Sequence, residues 1–266
     1  MVTRLLSVGL LLSLAEAAED ATTLEIAPGV RMPFVSDGII LDAQANHTGE
    51  VKGLDLFVKL GGRGVDTAWS YHNQPAVGKA IREASVAREE IFLTTKIECM
   101  GTAEAAYAAI ELDLRCAAAS VSGACLPQPA SQRPPLTSLV WSFCRLLGLK
   151  QIDLVIIHAP YHGYGEPYSN CSKGPAGAAA RRATWRGMEK AVKDGLTRTI
   201  GLSNFDVEYM NEIMEGAEIP PAVNQVGLAS PLLSSTPLAN HRQSARRRCS
   251  SSLGCLTTLA AMHGDY

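Results

Sequence analysis

Ile152-Asp153-Leu154-Val155-Ile156-Ile157-His158 is a short β-branched run, apolar at nearly every position, that ends on an imidazole. Strands buried on both faces, as in a parallel sheet covered by helices, read in this way. Two earlier stretches share the pattern, Ile91-Phe92-Leu93-Thr94-Thr95-Lys96-Ile97 and Gly64-Val65-Asp66-Thr67-Ala68, with Tyr71 shortly after the second. Each carries a polar group at or just past its C-terminal end, which is where alternating β/α folds place chemistry.

Helical signals separate the strands. Pro75 suits the first turn of an amphipathic helix over 75–84. Residues 102–115 are rich in Ala, Glu and Leu, all good helix formers. Thr184 is a candidate N-cap for a helix over 185–192, and Gly195 fits the position after its end. A fifth strand is expected over 198–202, a helix over 207–216 and a sixth strand over 222–226. At 266 residues with 47% hydrophobic and 19% charged residues, the chain is long enough for one barrel-sized catalytic domain. A net charge of -2 argues against a polyanionic partner, and no cysteine pair has zinc-site spacing, so neither nucleic acid nor a metal is expected.

The four strand-end residues have complementary chemistry. A phenol has an ordinary pKa of about 10, which an adjacent cation lowers by roughly 1 to 3 units. Lys96 supplies a cation, Asp66 a carboxylate to hold it, and a neutral His158 a hydrogen bond for a carbonyl oxygen. Taken singly, each has an ordinary reading: a solvated carboxylate, a snorkelling lysine, a satisfied core histidine, an amphipathic tyrosine.

Together with their surroundings these segments resemble the aldo-keto reductase family. The resemblance is carried by Gly62-Arg63-Gly64-Val65-Asp66-Thr67-Ala68 with Tyr71, Asn73 and Ala76-Val77-Gly78; by Leu93-Thr94-Thr95-Lys96; and by Leu147-Gly148-Leu149 before Ile157-His158-Ala159-Pro160. It continues in Thr184-Trp185-Arg186-Gly187-Met188-Glu189, Ile200-Gly201-Leu202-Ser203-Asn204-Phe205 and Pro220-Pro221-Ala222-Val223-Asn224-Gln225-Val226. It implies a (β/α)8 TIM barrel, incomplete at the C-terminus with six or seven strands, and NADPH-dependent reduction of an aldehyde or ketone, a small-molecule carbonyl substrate. It also implies Tyr71 as proton donor, Lys96 as its tuner, Asp66 as partner of Lys96 and His158 as orienter of the carbonyl. Ser203, Asn204 and Gln225 would hydrogen-bond the nicotinamide carboxamide, although Ser203-Asn204 equally reads as an Asx-type helix cap.

The chain departs from the family in several places. Residues 1–20 read as a secretory signal peptide, or alternatively as an N-terminal helix or hairpin packed under the barrel, so a secretory or organellar location is expected beside a cytoplasmic one. The apolar run within them is too short to span a bilayer. The barrel is expected over 21–226, with its first strand weakened near 32–39 and with loop-like insertions at 116–145 and 162–182. The tail over 227–266 diverges, offering a seventh strand near 254–259 and no counterpart of the family's adenosine-phosphate clamps. A second function follows from that departure: a non-catalytic barrel that does not hold cofactor productively. Seven cysteines in no CxxC pattern indicate no disulfide framework, and Cys99 reads as a structural cysteine. Asn46-His47-Thr48 and Asn170-Cys171-Ser172 are sequons.

Overall fold

The computed structural model describes residues 22–39, 48–71, 73–115, 147–162, 169–227 and 257–261. The signal-like segment, the insertion at 116–145 and nearly all of the divergent tail lie outside these residues. A hairpin of β1 (Thr23–Ala27) and β2 (Val30–Pro33) opens the described chain. A seven-stranded sheet follows in chain order: β3 (Ser36–Gly38), β4 (Gly64–Asp66), β5 (Phe92–Ile97), β6 (Ile152–Ile157), β7 (Thr197–Ser203), β8 (Val223–Gly227) and β9 (Thr257–Ala261). The first six of these strands are mutually parallel, which gives the curled sheet of an incomplete (β/α)8 barrel. The helices are α1 (Thr48–Lys59), α2 (Gln74–Arg82), α3 (Ala103–Arg115), α4 (Ala178–Lys193) and α5 (Val207–Met214).

The lack of polar alternation in β6 has a direct cause. Successive side chains of a strand point to opposite faces, and both faces here meet apolar neighbours. Val155 and Ile157 pack with Ile110, Trp185 and Met188 of the helical layer. Leu154 and Ile156 pack inward with Phe92 and Val223, where Ile26, Val30 and Met32 of the hairpin close the inner face. Each such side chain, taken fully from water, contributes roughly 1.5 to 3 kcal/mol. Close approach between α3 and α4 depends on Gly187, where an added Cβ would sit 2.2 Å from the Ala103 carbonyl oxygen.

Four expectations are corrected. The helix placed at 185–192 begins at Ala178, so part of the segment read as a loop is helical, and Thr184 lies inside the helix. Its hydroxyl donates to the Ala180 carbonyl at 3.0 Å and accepts from the Gly101 amide at 2.9 Å, tying α4 to the turn after β5. The last strand is Thr257–Ala261 and pairs antiparallel with β8, unlike the parallel strands before it. The stretch read as one weak first strand is divided: β2 ends at Pro33 in the hairpin, and β3 pairs with β4. Finally, Cys99 is not a lone structural cysteine, because it is bonded to Cys171 with the Cα atoms 5.7 Å apart. The partners are 72 residues apart in sequence but meet because the chain leaving β6 returns beside the chain leaving β5, where the Asn170 amide donates to the Cys99 carbonyl at 2.7 Å.

Candidate active site at the strand ends

Parallel pairing in register brings the C-terminal ends of β4, β5 and β6 side by side. Asp66 pairs with Thr94, Lys96 with Ile156, and the His158 amide donates to the Ile97 carbonyl at 2.8 Å. Asp66 and Lys96 are thereby in direct contact. Lys96 Nζ hydrogen-bonds Asp66 Oδ1 and donates to the Thr67 carbonyl at 3.1 Å, with the lysine side chain 3% exposed. Burying an ammonium this deeply is costly unless it is paired and hydrogen-bonded, and here it is both.

Tyr71 enters from a single turn of 3-10 helix, Trp69–Tyr71, directly after β4. That turn is fixed from both sides. Thr67 Oγ1 donates to Asn73 Oδ1 at 2.6 Å, and Asn73 Nδ2 donates to the Ile39 carbonyl at 2.8 Å. The Tyr71 ring stands edge-on to the His158 ring at 5.5 Å, and Lys96 Nζ lies 5.0 Å from the phenol's ring centre. All four predicted residues are thus brought together at one end of the sheet. Burial is the largest single influence on the Lys96 ammonium and works to strip its proton. The Asp66 carboxylate and the Tyr71 phenol together outweigh it, so the group is held above the usual lysine range.

Ser203, Asn204 and Gln225 border the same cluster. Gln225 Nε2 donates to Asp66 Oδ2, so both oxygens of that carboxylate are engaged. Asn204 Nδ2 donates to the His158 carbonyl at 2.9 Å and to Ser203 Oγ at 3.0 Å. Ser203 Oγ donates to the Gln225 carbonyl at 2.9 Å. Asn204 holds a left-handed backbone with φ 61°, a conformation Asn tolerates better than most residues. The helix-cap alternative for Ser203-Asn204 is not what forms. Asp206 caps α5, its Oδ1 accepting from the Tyr209 amide at 3.1 Å.

Sequence reasoning gave no site role to three contributors. Ser70 Oγ lies 3.2 Å from His158 Nδ1, Glu98 Oε1 lies 3.6 Å from the same nitrogen, and Asn73 braces the tyrosine turn. A signal for Glu98 was present: an acidic residue directly after a strand otherwise read as fully buried. The chain leaving β6 is itself locked near the site. Arg181 of α4 is buried, pairs with Glu212 Oε2, and donates to the Ser172 and Gly174 carbonyls at 2.8 Å each. Among the described residues, no group of three or more His, Cys, Asp or Glu is arranged to hold a metal ion, and no helix is long and apolar enough to cross a membrane.

Comparisons with known proteins bear on this arrangement. A family model described as "Aldo/keto reductase family" matches residues 39–244. The glyoxal reductase of Bacillus subtilis is 32% identical over 206 residues, covering 77% of this chain and 57% of that protein. Protein REDOX 2 of Catharanthus roseus is 32% identical over 210 residues, covering 76% of this chain and 56% of its own length. A solved Bombyx mori aldo-keto reductase in complex with NADP superposes with a TM-score of 0.57 at 25% identity, over 77% of this chain and 58% of that one. The chain therefore spans little more than half the length of each of these three proteins.

Proposed function

Because the chain belongs to the aldo/keto reductase family, we propose that it reduces an aldehyde or ketone to an alcohol with NADPH, with Tyr71 as the proton donor. The observation that carries this reading is the buried contact of Lys96 with Asp66 beside the Tyr71 phenol. An ammonium kept charged at neutral pH favours the ionised form of a neighbouring phenol, which makes that phenol a better acid. Asp66 keeps the ammonium charged and in place, and Gln225 and the Thr67 carbonyl keep Asp66 and Lys96 from rotating away. His158, placed edge-on to Tyr71, is positioned to hydrogen-bond the carbonyl oxygen that Tyr71 protonates.

The residues near the tetrad fit the reactive end of the cofactor. A nicotinamide carboxamide presents both a donor and an acceptor, and the Ser203 hydroxyl with the Asn204 and Gln225 carboxamides offers partners of both kinds. When bound, NADPH supplies the hydride, and the protein's part is to orient the carbonyl and deliver a proton to the developing alkoxide. Relatives that carry the names glyoxal reductase and methylglyoxal reductase make small aldehydes the first substrates to try. The Cys99–Cys171 bond supports the secretory or organellar reading of the signal-like N-terminus, since such bonds persist mainly in oxidising compartments.

The test is a binding titration of the purified chain with NADPH, followed by NADPH consumption with glyoxal and with a plain aldehyde. Saturable binding and aldehyde-dependent oxidation are expected. Absence of binding at high NADPH defeats the proposal and favours the barrel that does not hold cofactor.

A further inference from the structure

Glu98 directly follows β5 and is 0% exposed. A carboxyl buried this completely is costly to ionise alone, so it either keeps its proton or stands against a positive group. Its Oε1 lies 3.6 Å from His158 Nδ1, which is within ion-pair reach though long for a hydrogen bond. The backbone that carries the imidazole is fixed, because the His158 amide is bonded to the Ile97 carbonyl and the His158 carbonyl accepts from Asn204 Nδ2. On the same nitrogen stands the Ser70 hydroxyl, which can give or take a hydrogen bond as the ring requires. The other titratable groups facing this pair are Tyr71, from the turn after β4, and the Lys96–Asp66 pair of β5 and β4. Asp66, the second carboxyl nearby, is already committed to Lys96.

The role proposed for His158 requires a proton on Nε2, since Nδ1 is the nitrogen beside Glu98 and Ser70. A neutral imidazole carries one proton, and its two nitrogens compete for it. An ionised Glu98 beside a neutral ring draws that proton to Nδ1 and leaves Nε2 an acceptor, which cannot hydrogen-bond a carbonyl oxygen. One more proton on the pair removes the conflict. If it sits on the carboxyl, the acid donates to Nδ1; if it sits on the ring, both nitrogens are donors. In either arrangement Nε2 keeps its hydrogen.

We infer that Glu98 and His158 share one proton, and that Glu98 is a positioning residue that holds His158 with Nε2–H facing the substrate carbonyl. The inference rests on the reading of His158 given under the proposed function, but its test does not require turnover. The full chain is labelled with 15N-histidine, His158 is identified by its loss in His158→Asn, and its ring shifts are followed with pH. At neutral pH the wild type should show a protonated Nε2. A neutral ring with its proton on Nδ1 overturns the inference without recourse to any variant. In Glu98→Gln the amide can still donate to Nδ1 but cannot ionise, so the most alkaline transition of His158 should drop by roughly one to three units, as removal of a close opposite charge requires. An unchanged titration curve overturns it. Absence of NADPH-dependent turnover in the wild type would count against the proposed function and leave the titration to decide the pair.

Discussion

Asp66 and Asp153 are both buried carboxylates on the parallel sheet, and they stand at its opposite ends. Asp153, near the start of β6, is held from every side by fixed donors. Its Oδ2 accepts from the Leu93 amide at 2.9 Å and from Arg88 at 2.8 Å, while its Oδ1 accepts from Arg198 at 3.0 Å. Arg198 also donates to the Gly29 carbonyl at 3.0 Å, which ties the β1–β2 hairpin to the bottom of the sheet. Asp66, at the end of β4, is held by an ammonium, which titrates only at alkaline pH, and by a side-chain amide, with a phenol close by. One end of the sheet joins a carboxylate to guanidinium groups that do not titrate, and the other joins one to groups that do. The contrast sets an ion cluster of fixed charges against one that includes titratable groups.

The largest effect expected from breaking this contrast comes from Lys96→Met. It leaves Asp66 buried without its cation, at a cost of roughly 3 to 5 kcal/mol, and removes the proposed tuner of Tyr71. Chemical denaturation should show that loss of stability, and NADPH-dependent turnover should fall by about a hundredfold or more. Asp153→Asn should separate the two ends. Loss of about 1 to 3 kcal/mol is expected, because charged partners lose their acceptor, while turnover per folded molecule stays near that of the wild type. A comparable loss of turnover would mean the two ends are not functionally distinct.

Alkaline pH distinguishes the clusters without mutation. Lys96 is held above its ordinary pKa of 10.5 in the folded chain, so its contribution to stability is complete below that value and is lost as pH rises through the higher folded value. In the wild type, denaturation midpoints should decline above about pH 10.5, and Lys96→Met should lack that part of the decline. The smallest effect should come from the exposed pair Lys79–Glu83 at the C-terminal end of α2, with side chains 62% and 60% exposed. Lys79→Ala should change stability by no more than about 0.5 kcal/mol, and raising the salt concentration should erase the difference.

The parallel core was legible because β4, β5 and β6 are buried on both faces, which leaves runs such as Leu154-Val155-Ile156-Ile157 with no competing pattern. The grouping of Asp66, Tyr71, Lys96 and His158 was legible because they lie at or just beyond those strand ends. The start of α4 was hidden by chemistry that pointed elsewhere. Thr184 carries a capping hydroxyl, and only the fold reveals that it bonds within the helix and to Gly101. The disulfide was hidden because its halves are separated by 72 residues and meet only after two parallel strands have paired. Glu98 left only a faint trace, an acidic residue directly after a buried strand, whereas its complete burial beside His158 is set by the fold. Tertiary closure, which local patterns encode weakly or not at all, accounts for the last two.

The central claim is that Tyr71 donates the proton in an NADPH-dependent carbonyl reduction. The most direct measurement compares NADPH consumption with a small aldehyde for the wild type and for Tyr71→Phe, at saturating NADPH, with cofactor binding measured on both. Loss of the phenolic proton should lower turnover by about a hundred- to ten-thousandfold while binding stays unchanged. Turnover in Tyr71→Phe equal to that of the wild type would contradict the account.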